Sequence, residues 1–498
     1  MGKQDSAKAI KKLDKLTPRS QNQSKWYQEV VLKTDLADYS PVRGCMVIKP
    51  YGYAIWELIQ KELDQRIVNM GAKNAYFPIF IPYSFLEKEA DHVEGFAPEV
   101  ATVTHAGGKE LEEKLAVRPT SETIIYSMFA NWIESYRDLP YKINQWGNVV
   151  RWEKRTTPFL RTSEFLWQEG HTLHATKEEA NIQVLDALKV YRKFLEDNLS
   201  LCVVAGKKTE AEKFAGAEET YTVESLMKDG KALQVGTTHL LSHSFVESFG
   251  VDFLDENGDR KTPWATSWGM STRMIGGLIM AHGDDKGLVL PPRVAPVQIV
   301  IIPISKSGDE FKKERETLQR FIVSAVKPAL AEVRYEVDWS DNSPGWKFAN
   351  WEMKGVPIRL EIGAREIKSG ELSFAIRFNG EKDSIKIDSL GEWVTQKLAE
   401  IGDDMLAAHK EFTAENTREV SSYAEFKEVI KRDRGYVKVM FDQKDSAPES
   451  EIKAETKATT RCMPFEEDDI DKGLERATGK CFYSGDEGGA VTLFARAY

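Results

Sequence analysis

The spacing of apolar residues along the chain predicts both its helices and its strands. In GYAIWELIQKELDQRIVNMG (52–71) apolar residues recur every three or four positions and a glycine follows the last of them, which predicts a helix over 52–70. Between about residues 21 and 290 similar helical periodicity is mixed with short strand patterns. The proline-rich LPPRVAP (290–296) then marks a domain boundary.

Beyond residue 296 strand and helix patterns alternate. PVQIVIIPI, VRYEVDW and VPIRLEIG have the composition of strands, whereas DEFKKERETLQRFIVSAV and GWKFANWEMKG have that of helices. This alternation predicts a compact α/β domain to about residue 400. The predicted units are a basic N-terminal tail at 1–20, a first domain at 21–292, a second domain at 293–400 and a smaller third domain at 401–498.

Composition narrows the class of protein. The 498 residues are 41% hydrophobic, carry a formal net charge of −10 and include four cysteines. No apolar run approaches the roughly 20 residues that span a bilayer, and the first residues lack the apolar core of a secretory signal. So few cysteines fit a reducing compartment. We therefore expect a cytoplasmic protein with no membrane span, whose acidic balance disfavours a nonspecific nucleic-acid coat but allows a local basic site.

Charged and aromatic residues crowd together in VRWEKRTTPFLRTSEFLWQEGHT (150–172). We take VVRWE and TSEFLWQEGHT as two strands with KRTTPF turning between them. Because side chains alternate between the faces of a strand, Arg151 and Glu153 share a face. By the same rule Phe165, Trp167, Glu169 and His171 share a face. Such a surface suits a ligand with anionic, flat and cationic parts, although a surface hairpin with ion pairs explains this segment equally well.

Two further segments favour a binding site. In SWGMSTRMIGGLIMAHGDD (267–285) Arg273 is the only Asp, Glu, Lys or Arg between Lys261 and Asp284. A lone cation in an apolar helix needs an anion, which is either a ligand or a structural salt-bridge partner. In RPTSET (118–123) Thr120 and Glu122 either share a strand face or begin a helix.

These segments together resemble the signature motifs of class II aminoacyl-tRNA synthetases, and among them the prolyl-tRNA synthetases of the archaeal and eukaryotic type. The helix at 52–70 with NAYFPIFIP is similar to motif 1, VRWE with FLRTSEFLWQEGH to motif 2, and WGMSTRMIGG to motif 3. RPTSE resembles the proline-specific element, and LQVGTTH (233–239) a further active-site loop. Neither a GxxxxGK[ST] phosphate loop nor the HIGH and KMSKS marks of class I synthetases occur.

The resemblance implies an α/β (α+β) fold with a class II antiparallel-sheet catalytic domain, an α/β anticodon-binding domain and a small α+β C-terminal domain. It also implies a homodimer that activates L-proline with ATP and Mg²⁺ and transfers it to the 3′ end of tRNA(Pro). Arg151 and Arg273 are the implied catalytic residues. The implied ATP-binding residues are Arg151, Glu153, Arg161, Thr162, Phe165, Gln234, Thr237 and Arg273. The implied proline-binding residues are Thr120, Glu122, Arg151, Trp167, Glu169, His171, Phe214, His239, Ser267 and Gly269.

Several of these assignments have simpler alternatives. Glu169 could serve only to orient His171, and Trp167 and Phe214 could be ordinary core residues. The anticodon candidates Lys347, Glu352, Lys354 and Arg359 could belong to a solvated amphipathic helix. The segment 94–108, with Phe96 and Glu99, is either a lid over proline or a surface loop.

The chain departs from the family at the C-terminal domain. Zinc-binding relatives have four cysteines in this domain. This chain keeps two of them, Cys462 and Cys481, and has Glu467 and Ser484 at the positions of the other two. We therefore expect no structural zinc, and no metal ligands in the active site. Only about 60 residues separate His171 from Gln234, too few for an inserted editing domain. The last residues, FARAY, match relatives in which the terminus tucks toward the active site.

Two rival functions remain open at this stage. A class II synthetase for another small amino acid, such as threonine, is disfavoured by RPTSE and by the lack of metal ligands near motif 2. A non-catalytic paralogue that binds tRNA or other partners is disfavoured because Arg151, Arg161 and Arg273 are all present.

Overall fold

The structure, a computed structural model, describes residues 15–90, 100–304, 309–432, 434–442, 447–465, 470 and 479–498. The helices are α1 (Gln23–Lys33), α2 (Pro50–Asn69), α3 (Tyr83–Ala90), α4 (Glu122–Trp132), α5 (Lys177–Leu199), α6 (Ser244–Ser248), α7 (Arg273–His282), α8 (Asp309–Phe321), α9 (Pro344–Met353), α10 (Ala364–Ser369), α11 (Leu390–Glu415), α12 (Tyr423–Arg432) and α13 (Ala447–Thr456). A π-helical turn (Ile322–Val326) continues α8, and single 3-10 turns occur at Tyr136–Asp138, Lys327–Leu330 and Ile387–Ser389.

The strands follow the same chain order. They are β1 (Ala37–Tyr39), β2 (Met46–Ile48), β3 (Lys73–Asn74), β4 (Phe80–Pro82), β5 (Thr102–Ala106), β6 (Lys109–Val117), β7 (Tyr141–Val150), β8 (Glu164–His174), β9 (Val204–Lys207), β10 (Glu219–Leu226), β11 (Ala232–Ser242), β12 (Phe253–Leu254), β13 (Arg260–Lys261), β14 (Trp264–Ser271), β15 (Ile299–Pro303), β16 (Tyr335–Val337), β17 (Ile358–Ile362), β18 (Glu371–Ile376), β19 (Lys382–Lys386), β20 (Thr417–Glu419), β21 (Tyr436–Phe441), β22 (Thr459–Pro464), β23 (Gly479–Lys480) and β24 (Glu487–Ala495).

A large sheet forms the centre of the molecule. Its strands lie in the order β20-β21-β24-β22-β9-β10-β11-β14-β8-β7-β3, with β23 paired to β24. The central pairs from β9 to β7 are all antiparallel, as the resemblance to a class II core implied. One hydrophobic cluster joins this sheet to α1, α2, α5 and α7 and contains Trp26, Ile59, Tyr191, Leu195 and Ile279. Burial of these apolar side chains is what holds the helices against the sheet.

The second domain has a sheet of its own. Its strand order is β16-β15-β17-β18-β19, parallel for the first two pairs and antiparallel for the last two. The predicted strand and helix alternation over 297–363 is confirmed by β15, α8, β16, α9 and β17. Helix α11 runs through residue 400, where the sequence placed a domain boundary, so no break in secondary structure marks that position.

The third domain extends the central sheet instead of standing apart. Strand β22 pairs with β9 through Met463 opposite Lys207 and Pro464 opposite Gly206. A Cβ atom on Gly206 would lie 2.3 Å from the Met463 carbonyl oxygen, so the close approach of the two strands requires glycine there. The C-terminal module and the catalytic sheet are therefore continuous through backbone pairing.

The charged hairpin differs from its prediction at the ends of its strands. The helix expected at 52–70 is found as α2. The strand expected at 162–172 is found as β8, shifted two residues toward the C-terminus. β7 ends at Val150, so the prediction that the first strand continues to Glu153 is wrong. After one more cross-strand bond, from Arg151 N to Ser163 O (2.7 Å), the chain leaves the ladder and closes a loop at Thr157 and Arg161. Pro158 in that loop has no N–H to donate to a ladder.

Some predictions fall outside the described residues. These include most of the N-terminal tail, Phe96 and Glu99 of the possible lid, and Glu467 of the zinc-like segment. The described remainder of the lid segment contains β5, which pairs with β6. Within the described ranges no helix combines the length and the apolar character needed to cross a membrane.

Candidate active site

A cavity of about 280 Å³ opens on one face of the central sheet, over β8, β10, β11 and β14. Strands from four parts of the sequence supply its floor, and the start of α4 supplies one wall. Its lining residues are Thr120, Glu122, Arg151, Phe165, Trp167, Glu169, His171, Lys208, Glu212, Phe214, Thr220, Gln234, Val235, Gly236, Thr237, His239, Ser267, Trp268, Gly269, Met270, Ser271 and Arg273. RPTSE, the charged hairpin, LQVGTTH and the segment with Arg273 therefore meet in one place, whereas the segment similar to motif 1 does not line the cavity.

Strand β8 contributes an alternating row of side chains. Phe165, Trp167, Glu169 and His171 all line the cavity, which confirms the shared face inferred from their spacing. Between them lies Gly170, where a Cβ atom would come within 2.3 Å of the Trp268 ring. Glycine there lets the neighbouring strand approach closely and keeps the row in place.

Glu169 is held by three neighbours at the acidic end of the cavity. It is 2% exposed, accepts hydrogen bonds from Ser121 Oγ (2.5 Å) and Gln145 Nε2 (2.7 Å), and its second oxygen lies 3.2 Å from His171 Nε2. Gln145 is the residue directly opposite Glu169 on β7. The contact with His171 fits the simpler interpretation of Glu169, that it orients the imidazole.

Glu122 is the other carboxylate of this end. It is 5% exposed and occupies the first turn of α4, where the helix dipole favours a negative charge. Thr120 Oγ1 donates to one of its oxygens. Because no salt bridge to Glu122 occurs within the described residues, its charge is available to a cationic ligand.

Neutral donors and rings complete this end of the cavity. In the described part of the structure, the buried Trp167 Nε1 and Ser267 Oγ have no hydrogen-bond partner, which is typical of groups that await a ligand. The His239 ring lies 4.7 Å from the Phe214 ring, and its Nδ1 is 3.0 Å from Thr220 Oγ1. Burial lowers the pKa of His239 to about 3, so the imidazole is neutral at physiological pH.

Arg151 lies against aromatic rings, within electrostatic reach of Glu122 and Glu169. Its Nε donates to the Pro119 carbonyl oxygen (3.0 Å), and its guanidinium carbon lies 5.5 Å from the centre of the Phe165 ring and 5.7 Å from that of Trp167. Surrounding protein lowers the pKa of Arg151, whereas Glu122 and Glu169 oppose that shift. Among the described residues only the Nε–H of this guanidinium has a hydrogen-bond acceptor, which leaves its other N–H groups to bind a planar anion.

Arg273 is the first residue of α7 and lies near Arg151, so the two side chains form an arginine-rich end of the cavity. Its Nε donates to Leu160 O (3.1 Å) and its Nη1 lies 3.5 Å from Gln234 O. Burial and the nearby Arg151 both lower the pKa of Arg273. No carboxylate within the described residues forms a salt bridge with Arg273 or Arg151, so two guanidinium groups face one cavity with only longer-range attraction from carboxylates such as Glu153. This arrangement favours a polyanionic ligand.

Three implied ATP-binding residues lie outside the cavity lining. Arg161 pairs with Glu153 (Nε to Oε2, 2.7 Å) on the loop after β7, with 58% of the arginine side chain exposed. Thr162 Oγ1 donates to Glu164 O (2.7 Å) and borders a neighbouring apolar cavity instead. The other implied ATP-binding residues, and all the implied proline-binding residues, line the cavity.

Sequence patterns gave no sign of several functional neighbours. Lys208, Glu212 and Thr220 line the cavity from the β9–β10 region, and Ser121 and Gln145 hold Glu169 from behind. Ser121 lies within RPTSE, whereas the other four are polar residues of ordinary type in segments without a motif. The contact of Gln145 with Glu169 becomes evident only from the β7–β8 register.

A second cavity, of about 350 Å³, lies in the domain at 293–400. Arg359 and Glu352 line it, together with Phe348, over whose ring the Arg359 guanidinium carbon sits at 4.0 Å. The other lining residues are Lys286, Val300, Trp351, Val356, Ala375, Ile376, Arg377, Gly380 and Lys382. Basic and aromatic groups in this combination suit an unstacked nucleotide base.

Two anticodon candidates point elsewhere. Lys347 is 5% exposed and its Nζ donates to Asp338 O (2.8 Å). Lys354 Nζ lies 3.2 Å from Asp35 Oδ2 in the first domain. Neither residue lines the second cavity, because both sit on the part of α9 and its C-cap that packs against neighbouring elements.

The cysteines and the terminus of the C-terminal module are apart from the cavity. Cys462 and Cys481 belong to different hydrophobic clusters, and no group of three metal-ligating side chains occurs among the described residues. Tyr498 donates its hydroxyl to Asp229 Oδ2 (2.7 Å) and its N–H to Ala232 O (3.2 Å). The terminus therefore docks at the start of β11, the strand that carries Gln234, and not on the cavity itself.

Comparisons with known proteins agree with this geometry. The chain matches the models of three families, which are the tRNA synthetase class II core domain (G, H, P, S and T) over residues 102–282, the anticodon binding domain over 298–397 and the prolyl-tRNA synthetase C-terminal domain over 423–498. It is 50% identical to a proline–tRNA ligase of Alkaliphilus oremlandii, over 98% of both chains. It is 49% identical to proline–tRNA ligase 2 of Clostridioides difficile, again over 98% of both.

Solved structures show the same similarity. A crystal structure of prolyl-tRNA synthetase from Cryptosporidium parvum complexed with halofuginone and AMPPNP superposes with a TM-score of 0.89 at 41% identity, covering 98% of this chain and 100% of that one. A second structure from that organism, complexed with L-proline and AMP, gives a TM-score of 0.89 at 39% identity, with the same coverage.

Proposed function

The chain belongs to the family of the proline–tRNA ligases, which are class II aminoacyl-tRNA synthetases, and we propose that the cavity over β8, β10, β11 and β14 is where it joins proline to AMP. As a member of this family it is an enzyme that activates L-proline with ATP to prolyl-adenylate and pyrophosphate, and then transfers proline to tRNA. The proposal assigns the individual steps to the residues of the cavity.

The arginine-rich end of the cavity is the proposed site of ATP. Arg151 binds the α-phosphate together with the proline carboxylate, and Arg273 binds the β- and γ-phosphates. Phe165 stacks on adenine, while Gln234 and Thr237 contact the ribose. Glu153, Arg161 and Thr162 act at this end only if the loop after β7 closes over the nucleotide, since they lie outside the cavity lining.

The acidic end is the proposed site of proline. The secondary ammonium of proline pairs with Glu122, which Thr120 orients and which lacks a cationic partner in the described structure. Trp167, Phe214 and His239 form the wall of an apolar slot for the ring. A neutral His239 suits that role because it adds no charge that would repel the ammonium.

Activation then needs no general base. The proline carboxylate is already ionised, and one of its oxygens forms a bond to the α-phosphorus while the bond from that phosphorus to the bridging oxygen breaks and pyrophosphate leaves. Arg151 and Arg273 hold the reacting groups in line and offset the charge on the phosphates. Positioning and charge stabilisation are thus the proposed contribution of this chain to the rate.

Several partners remain part of the proposal. Mg²⁺ enters with ATP as part of that substrate and is held mostly by phosphate oxygens. The cavity lined by Phe348, Glu352 and Arg359 receives anticodon bases of tRNA(Pro). A second copy of the chain packs on the region of α2, as motif 1 does in the family.

The observation that carries this proposal is a cavity lined by two guanidiniums and a buried carboxylate, none of which forms a salt bridge within the described residues. Amino-acid-dependent exchange of pyrophosphate into ATP, without tRNA, tests it across proline, alanine, threonine, serine, glycine and histidine. We expect the strongest exchange with proline and a large loss with Glu122→Gln. Equal exchange with threonine, or none with any amino acid from protein that still binds ATP, would refute it.

A further inference from the structure

A buried ion cluster joins the C-terminal module to the floor of the cavity. Glu224, on β10, is fully buried and accepts hydrogen bonds from Arg461 Nη2 (2.9 Å) and from Lys208 Nζ (2.8 Å). Arg461 lies on β22 of the C-terminal module, and its Nε also reaches the same carboxylate (3.1 Å). Lys208 is one of the residues that line the cavity. Arg461 is thus connected to the cavity from another domain, through Glu224 to Lys208 in the cavity lining.

Two cations hold the pKa of the carboxylate in this cluster below its usual value. Burial alone would raise the pKa of Glu224, but Arg461 and Lys208 together lower it. If the buried carboxylate lost one of these two cations, the remaining attraction would offset less of the free-energy cost of burying its charge. The bidentate hydrogen bonds from the Arg461 guanidinium also fix the orientation of the carboxylate, which the single ammonium of a lysine cannot do.

The position of Glu224 relates it to the ATP end of the cavity. It stands directly opposite Gln234 on β11, at a register shift where Val235 is the extra residue. Because of this bulge, Gln234, Val235 and Gly236 all line the cavity in succession. Gln234 O is in turn the neighbour of Arg273 Nη1. Glu224 also attracts the Arg273 guanidinium electrostatically, whereas Arg151 repels it.

We propose that Arg461, although it belongs to the C-terminal module, is a positioning residue for ATP in the catalytic cavity. It holds Glu224 in one orientation, and Glu224 in turn fixes Lys208 on the cavity floor and supports the strand bulge that presents Gln234 beside Arg273. This inference rests on the proposed function, because it takes the arginine-rich end of the cavity to be the ATP site.

The test compares how three variants bind the two substrates. Arg461→Met removes both the charge and the bidentate guanidinium contact, whereas Arg461→Lys keeps the charge and loses the bidentate contact. Thr460→Val is a matched control on the same strand. Thr460 Oγ1 donates to Glu449 (2.7 Å) and lies 3.1 Å from Thr209 Oγ1. The control therefore weakens the same domain interface without touching Glu224. The Michaelis constants for ATP and for proline are measured separately by pyrophosphate exchange, and thermal unfolding of each variant is recorded.

For Arg461→Met we expect the KM for ATP to rise about tenfold and the KM for proline to change by less than about twofold, because a local field made more negative repels the phosphates. Arg461→Lys should recover most of that loss. Thr460→Val should lower the melting temperature but leave both constants near their wild-type values.

Two results would overturn the inference. One is a wild-type KM for ATP in Arg461→Met. The other is a rise of equal size for ATP and proline, which would mark Arg461 as a purely structural contact. Should the wild-type protein show no proline-dependent exchange, the proposed function fails, and calorimetric ATP affinities of the same variants still decide the role of Arg461. If Arg461→Met does not fold, the ratio of the KM for ATP to the KM for proline in Arg461→Lys decides the question. Loss of the bidentate contact alone should raise the KM for ATP selectively.

Discussion

Replacing Arg273 with methionine should separate catalysis from stability. The side chain contributes two hydrogen bonds to backbone oxygens, no salt bridge within the described residues, and a charge whose burial is unfavourable. Loss of a donor that stabilises charge in a transition state costs roughly 10²–10³-fold in rate, about 2.7–4 kcal/mol. Loss of a buried cation without a carboxylate partner removes a desolvation penalty. We therefore expect a large fall in exchange activity together with an unchanged or higher melting temperature.

The assay is proline-dependent pyrophosphate exchange, with kcat/KM for ATP as the readout, alongside thermal unfolding of the same preparations. Arg260→Met is the matched control, because the Arg260 side chain is 70% exposed and forms a surface salt bridge with Asp252. The control should leave both quantities nearly unchanged. An Arg273→Met enzyme that keeps more than about a tenth of the wild-type activity would refute the role in phosphate binding. A melting temperature several degrees lower would refute the claim that the cation is kept at the expense of stability.

Gln145→Leu removes a donor from Glu169 and should raise the KM for proline about tenfold while the KM for ATP stays within about twofold of wild type; equal changes in both would contradict a local role. Arg359→Ala should raise the KM for tRNA about tenfold in aminoacylation and leave pyrophosphate exchange intact; impaired exchange would contradict the assignment of that cavity to tRNA. Burial lowers the pKa of His409 to about 4, so between pH 6.5 and 4 the unfolded chain binds a proton that the native chain does not. The free energy of unfolding should therefore fall by up to about 3 kcal/mol over that range in denaturant titrations. The slope should be smaller in His409→Gln, and an equal slope would contradict the assignment to His409.

Local geometry made part of the site predictable. The four cavity-facing residues of β8 were inferred from their spacing alone, because alternation between strand faces is a property of one segment. The helix with a single buried cation was likewise evident from composition, and it is α7 with Arg273 in its first turn. These inferences needed no knowledge of which strands pair.

The features that the sequence analysis missed or predicted wrongly depend on contacts between distant segments. Gln145 supports Glu169 only because β7 and β8 pair in a register that puts the two residues opposite each other. On α9 the amphipathic pattern could not tell which basic residues face solvent, and Lys347 turns inward to Asp338. β7 ends at Val150, before a loop that contains Pro158, whereas the residue alternation alone predicted three further strand residues.

The C-terminal module shows most clearly why domains inferred from sequence are not functional units. Its composition predicts a separate unit from residue 401, yet α11 crosses that position without a break and β22 completes the backbone pairing of β9. Without the module β9 would become an edge strand with unpaired backbone groups. Glu224 would also lose the more strongly directional of its two cations. Since β9 and β10 carry Lys208 and Thr220 to the floor of the cavity, the shape of the catalytic site depends on a strand encoded more than 200 residues away.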